Sequence, residues 1–224
     1  MPRFSLVIFD CDGVLVDSEY LSAQVLVETF ADVGVVIDEQ FVFENFLGHS
    51  FSEVAAHYAK LHGSRVPETF EVDYRARLLG KFSTDLEPMP FIKTALDDLA
   101  IAYCLATGSS LARVTHSLDV AGLATRFRDR VFTTAMVDRG KPAPDIFLHT
   151  AKAMGVAPEE CLVVEDSATG IAAARAAGMT VWQFTGGSHF RHGYNHIAST
   201  DLVDRRFDRM DSFFEAAPDL RGSP

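Results

Sequence analysis

The run Phe4-Ser5-Leu6-Val7-Ile8-Phe9 leads directly into Asp10-Cys11-Asp12-Gly13, and this junction constrains the chain more than any other segment. An apolar, β-branched run of this length suits an interior strand of a parallel sheet, buried on both faces. Open parallel sheets hold their ligands beyond the carboxyl ends of the strands. Two carboxylates two residues apart at such an end share one space. One can attack phosphorus and carry the phosphoryl group, while the other exchanges protons with the leaving group and with water. Gly13 then permits a tight turn away from them. A bare Asp-x-Asp-Gly also reads as an ordinary turn, because Asp and Gly dominate turns.

Three further strand-like runs end in polar residues that decide between these readings. Ala102–Ala106 leads into Thr107-Gly108-Ser109-Ser110, Val131–Thr133 precedes Gly140-Lys141-Pro142, and Leu162–Val164 leads into Glu165-Asp166-Ser167. Alone, a lysine before proline is a solvated loop charge, and Thr-Gly-Ser-Ser is an ordinary start of a helix. Together, in this order and spacing, the motifs resemble the haloacid dehalogenase superfamily of phosphohydrolases, in its phosphoglycolate phosphatase and β-phosphoglucomutase-like branch. The resemblance extends from about residue 4 to residue 205.

That resemblance implies an α/β fold, a Rossmann-like parallel sheet core covered by helices, with an inserted α-helical cap domain. It implies Mg²⁺-dependent hydrolysis of a small phosphorylated metabolite, a sugar phosphate or phospho-acid, through an aspartyl-phosphate. A phosphosugar mutase using the same intermediate is the alternative, and a non-catalytic binding protein on the same fold is a third reading. By position, Asp10 is the expected nucleophile and Asp12 the expected acid and base. Lys141 and Thr107 complete the phosphate pocket with the backbone amides of Gly108 and Ser109. Mg²⁺ binds phosphoryl oxygens together with one or two carboxylates. Asp10 and Asp166 are therefore its expected side-chain ligands, with the backbone carbonyl of Asp12 as a family feature and Glu165 as a further candidate.

Periodicity divides the chain in two. From about Asp17 to Leu86 the pattern is helical, with Tyr20, Leu21, Val25, Leu26, Thr29, Phe30 and Val33 at three- and four-residue steps before Gly34. Further helices are expected near Asp38, Ser52 and Pro67. From Pro88 onward strands at 102–106, 131–133, 162–165 and 180–184 alternate with helices at 91–99, 111–121, 145–154 and 169–177. Residues 1–16 and 88–224 are thus expected to form the core and residues 17–87 a cap, hinged so that it closes over the substrate. Gly48 and His49 are the cap residues expected at the substrate. In the mutases of the branch, cations flank that glycine; here Leu47 and Phe51 stand in their places, which favours hydrolysis.

A net charge of −11 disfavours a nucleic-acid surface. Cys11, Cys104 and Cys161 lie in or beside strand runs and read as buried, reduced thiols rather than a disulfide or zinc set. The amino terminus shows no charged leader with an apolar core, and no run approaches the ~20 apolar residues that span a bilayer. A cytoplasmic monomer without membrane or nucleic-acid partners is the expectation. The segment 185–196 holds three of the eight histidines and reads, from its Gly and Asn, as a surface loop more than as a metal site.

Overall fold

The computed structural model describes residues 3–196, 198–199 and 201–222. Four helices follow the first strand: α1 (Glu19–Asp32), α2 (Glu39–Asn45), α3 (Phe51–His62) and α4 (Phe70–Asp85). Six strands, β1 (Leu6–Phe9), β2 (Ala102–Thr107), β3 (Val131–Thr133), β4 (Cys161–Glu165), β5 (Thr180–Phe184) and β6 (Arg205–Phe207), form one sheet in the order β3-β2-β1-β4-β5-β6. Every pairing is parallel. β1 lies at the centre, and all four of its residues are buried, which explains its uninterrupted apolar text. The chain builds outward from β1 to β2 and β3, then returns to place β4 on the other side of β1. The strand order therefore reverses beside β1, where ligands collect in open α/β sheets. Phe9 is in register with Leu105 of β2 and Val164 of β4, so Asp10, Ala106 and Glu165 emerge at one level.

Alternation along the strands feeds two apolar layers. Val7, Phe9, Leu105 and Val164 face α5 (Ile92–Asp98), α6 (Leu111–Val120) and the carboxyl-terminal residues Phe213 and Phe214. Leu6, Ile8, Cys104 and Val163 face α7 (Asp145–Met154) and α8 (Ala168–Ala176). The helices α1–α4 bury a third cluster of their own around Leu26, Phe30, Phe43, Phe46, Val54 and Phe70. Local signals set their ends: the Asp38 side chain accepts from Phe41 N, and Ser50 and Glu53 form a capping box. The two chain connections to this helical block run side by side. Asp17 N donates to Glu87 O at 3.0 Å and Met89 N to Leu15 O at 2.9 Å, at the carboxyl end of β1.

A third tie corrects the reading of 185–196 as a surface loop. The segment forms a single turn, α9 (Ser188–Arg191), and His189 is fully buried. Ser188 donates twice to Asp17 Oδ1, His192 stacks on Tyr20 with ring centroids 3.8 Å apart, and Phe190 and Tyr194 join the helical block's cluster. Glycine and asparagine here mark turns, while the interleaved aromatic residues carry the segment inward. β6 was also illegible, because Arg205-Arg206-Phe207 has neither an apolar run nor alternation; pairing with β5 holds it at the sheet edge. No described helix is long and apolar enough to cross a membrane.

Candidate active site

Asp10 extends the β1 ladder by one step, its N–H donating to Val164 O at 3.0 Å. Its carboxylate Oδ1 accepts from Lys141 Nζ at 2.6 Å, and the same ammonium donates to Glu165 Oε1 at 2.6 Å and Ala106 O at 3.3 Å. The three side chains are 9, 8 and 0% exposed, respectively for Asp10, Lys141 and Glu165. Lys141 is therefore a buried cation and no loop charge. Burial works against its charge, but the two carboxylates outweigh this and raise its pKa. At Asp10 burial prevails instead. Burial pushes its carboxyl well above the ordinary range, Lys141 pulls it down, and Glu165, Asp166 and Asp12 push it up again.

Glu165 and Asp166 are adjacent acids with different surroundings, because successive side chains at a strand end point to opposite faces. Glu165 Oε2 accepts from Asp166 N, Ser167 N and Ser167 Oγ at 2.9, 2.9 and 3.0 Å. It lies so close beneath α8 that a Cβ on Gly170 would fall 1.7 Å from Oε1. Both its oxygens are occupied. Asp166 Oδ2, by contrast, is buried with no hydrogen-bond partner among the described residues.

Asp12 sits in the tight loop that follows β1, where Leu15 N and Val16 N both donate to Cys11 O. Its Oδ1 accepts from Ser18 Oγ and Arg113 Nη2, each at 2.7 Å, and Oδ2 accepts from Ser109 Oγ at 2.6 Å. Burial would raise this carboxyl, but the Arg113 charge and the hydroxyl donors outweigh it and hold the group below the ordinary range. Two aspartates two residues apart thus occupy opposite electrostatic environments. Neither Arg113 nor Glu19 was singled out by motif. Arg113 sits in the first turn of α6, three residues past its N-cap Ser110, and also donates to Ser22 Oγ at 3.1 Å. Glu19 opens α1 and faces the site, where burial and the Asp12 charge push its pKa up to about 8.

The remaining expected residues converge on the same space. Thr107 is buried at the end of β2, and its Oγ1 accepts from Ser109 N at 3.0 Å. Gly108 O accepts from Thr134 Oγ1 at 3.2 Å. From the helical block, Gly48 O accepts from Thr169 Oγ1 at 3.2 Å, and the half-exposed His49 lies beside Glu53. Asp10, Asp12, Thr107, Ser109, Lys141 and Asp166 line a cavity of about 920 Å³ that Glu19, Gly48, His49 and Arg75 wall from the helical side. Glu165 does not line it, in keeping with its occupied oxygens. Cys11 is buried, and burial with the two flanking aspartates raises its thiol well above the usual value, which disfavours the thiolate.

One oxygen from each of Asp10, Glu165 and Asp166 lies within 4.8 Å of the others. At the strand ends and the loop after β1 four carboxylates, Asp10, Asp12, Glu165 and Asp166, meet two cations, Lys141 and Arg113, with Glu19 facing them from α1, and Asp166 Oδ2 has no donor among the described residues. A hard divalent cation with oxygen ligands suits that donor set. Gly13 makes room for the Asp166 carboxylate. With φ +74° its backbone is left-handed, and a Cβ there would fall 1.9 Å from Asp166 Oδ2. Gly13→Ala is expected to cost about 1–2 kcal/mol in backbone strain and to displace the Asp166 carboxylate. The measurements are a melting temperature lowered by roughly 2–8 °C and a weakened response of that temperature to added Mg²⁺. An unchanged response would show that Asp166 needs no such room.

Comparison with known proteins identifies the family. A sequence model of the haloacid dehalogenase-like hydrolases matches residues 4–178. The chain is 32% identical over 190 residues to 6-phosphogluconate phosphatase of Escherichia coli (strain K12), covering 84% of this chain and 86% of that protein. Among solved structures, a haloacid dehalogenase-like protein of unknown function from Agrobacterium tumefaciens superposes with a TM-score of 0.81 at 32% identity, covering 97% of this chain and 99% of that one. A hydrolase of the same family from Deinococcus radiodurans, crystallised with bound phosphate and sodium, gives 0.77 at 29% identity, covering 98% and 97%. With that family model spanning more than half of the sequence, and a relative 32% identical over 84% of it, this chain belongs to the haloacid dehalogenase-like hydrolases.

Proposed function

We propose that the protein is a Mg²⁺-dependent phosphatase acting on a small phosphorylated metabolite, a sugar phosphate or phospho-acid, through an aspartyl-phosphate on Asp10. The observation that carries this reading is the opposite setting of the two aspartates, Asp10 against Lys141 and Asp12 against Arg113, Ser18 and Ser109. A nucleophile and an acid–base group need such different environments. Similarity to a 6-phosphogluconate phosphatase supports the substrate class.

Asp10 attacks the phosphorus in line, forming an oxygen–phosphorus bond as the bond to the leaving oxygen breaks. Asp12 gives its proton to that oxygen. It then takes a proton from the water that attacks the aspartyl-phosphate, which releases phosphate and restores Asp10. In the free protein Asp12 is held ionised, as the second half-reaction requires; a phosphoryl dianion beside it favours the protonated form that the first requires. Lys141 and Thr107 stabilise the phosphoryl oxygens, with the amide of Gly108, and that of Ser109 on leaving Thr107 Oγ1, as further donors, and Glu165 holds Lys141 in place. Asp10, Asp166 and the carbonyl of Asp12 would hold Mg²⁺, which neutralises charge on the phosphoryl group.

Residues 17–87 serve in this reading as a cap over a core of 1–16 and 88–224. The paired links at Leu15–Asp17 and Glu87–Met89, and a cavity walled from both sides, support that division. A mutase would need cations in the cap for a second phosphate. Leu47 and Phe51 instead pack against the apolar cluster of the helical block, which favours hydrolysis. The experiment follows inorganic phosphate from 6-phosphogluconate, hexose phosphates and hexitol phosphates, with Mg²⁺ and with EDTA. Phosphate release that needs Mg²⁺ is expected. Conversion of a hexose 1-phosphate to the 6-phosphate without matching phosphate would establish the mutase instead.

A further inference from the structure

His189 is a fully buried polar side chain beside the site to which the mechanism above gives no task. Its ring is wholly inaccessible to solvent, and neither Nδ1 nor Nε2 has a hydrogen-bond partner among the described residues. A buried polar group left in that condition is unfavourable, since it has lost water and gained no partner. Nothing in the packing demands an imidazole, since the ring lies among Phe190 and Tyr194, with centroids 4.4 and 5.2 Å away. A phenylalanine would fill the same space without that cost. What sets the ring apart is its other neighbour. Nε2 lies 3.2 Å from Asp166 Oδ2, another orphaned polar atom of the site.

The backbone on both sides is cut away for this approach. A Cβ on Gly13 would fall 1.9 Å from Asp166 Oδ2 and 3.1 Å from His189 Cε1, and one on Gly187 would fall 2.5 Å from the same carbon. Asp17 Oδ1 fixes the turn that carries the histidine by accepting from Ser188 N and Ser188 Oγ, both at 2.8 Å. The ring therefore has a held position, with Nε2 within 3.2 Å of the carboxylate though not aligned with it for a hydrogen bond, so a small reorientation of Asp166 would make one.

We infer that His189 is a positioning residue for Asp166: its Nε2–H donates to Oδ2 once the carboxylate is engaged, and Oδ1 is thereby aimed at the cation beside Asp10. The inference rests on the Mg²⁺ reading of the acidic cluster. Outer hydrogen bonds of this kind orient metal ligands, and their loss weakens metal affinity by about 10–100-fold. The turn also links α1 to the acidic cluster, since Asp17 and Tyr20 precede and open the helical block while His189 touches Asp166.

Mg²⁺ binding to the intact protein, followed by calorimetry and by the rise in melting temperature, tests this with four variants. His189→Phe keeps the volume and removes the donor, and is expected to weaken Mg²⁺ by about tenfold or more, with kcat largely restored at saturating Mg²⁺. His189→Gln, whose amide nitrogen reaches the Nε2 position, is expected to stay within about threefold of the parent. His189→Asn, whose amide reaches only the Nδ1 position, is expected to behave like His189→Phe. Asp166→Ala is expected to lose the binding altogether. Loss in Asp166→Ala with parental affinity in His189→Phe would overturn the role of His189 alone; absence of Mg²⁺ binding by the parent would overturn the metal reading and this inference together. Should His189→Phe not fold, the Gln and Asn variants decide, and equal affinities in the two would overturn the inference.

Discussion

Asp10→Asn is expected to abolish phosphate release and yet to leave the metal-free protein at least as stable as the parent at neutral pH. The loss of turnover should be on the order of 10⁵-fold or more, the scale seen when a nucleophile is removed from a group of residues that act as a unit. An amide oxygen does not form the aspartyl-phosphate. The stability half of the expectation comes from crowding. Burial, Glu165, Asp166 and Asp12 raise the Asp10 carboxyl well above its unfolded value, and Lys141 offsets only part of this. A carboxyl raised in the folded state favours folding most fully below its unfolded pKa, near 4, and that contribution is lost as pH rises through the folded value. Asparagine resembles the protonated form at every pH, and Lys141 keeps Glu165 as a partner. Melting curves without metal between pH 4 and pH 8 should therefore show a smaller decline for the variant than for the parent. Substantial turnover by folded Asp10→Asn protein would end the covalent mechanism.

How much of this was legible in the text depends on the distance over which each residue acts. The β1–Asp10–Asp12 junction, the lysine and the acidic pair stand at the ends of apolar runs, so topology alone brings them to one sheet edge. Helix limits set by adjacent residues were also legible, such as Gly34 after α1 and Asp38 before α2. Arg113 was not, since its partner Asp12 lies 101 positions away and an arginine on a helix usually meets solvent. Glu165 and Asp166 read as one acidic pair, yet one supports Lys141 and the other faces the cavity; only the direction of each side chain separates them. His189 lay hidden in a Gly-, His- and Asn-rich stretch whose composition reports turns and not burial. Glu19 was part of a helix start, and its role depends on the helical block folding back over β1.

Asp12→Asn should divide the reaction where Asp10→Asn removes it. With a metabolite whose leaving alcohol needs a proton, turnover should fall by about 10²–10⁴-fold, the usual contribution of a positioned acid–base group. With p-nitrophenyl phosphate the leaving phenolate needs no proton, so Asp10 should still be phosphorylated. Water then lacks its base. One equivalent of p-nitrophenol per protein should appear quickly, followed by slow turnover, and the protein should gain the mass of one phosphoryl group. The stability effect is opposite in sign to that at Asp10. Despite its burial, Asp12 is held below the ordinary carboxylate range by Arg113, Ser109 and Ser18, so its ionised form contributes stability above the unfolded pKa, near 4, that is lost as pH falls through the lower folded value. Breaking a buried ion pair outright costs about 3–5 kcal/mol; asparagine keeps an acceptor for Arg113 and should cost less, which makes it the variant of choice over alanine. Parental turnover of the metabolite by Asp12→Asn would remove Asp12 from acid–base catalysis. A folded variant that gives no burst with p-nitrophenyl phosphate would show that Asp12 acts before proton transfer, in placing the phosphoryl group for Asp10.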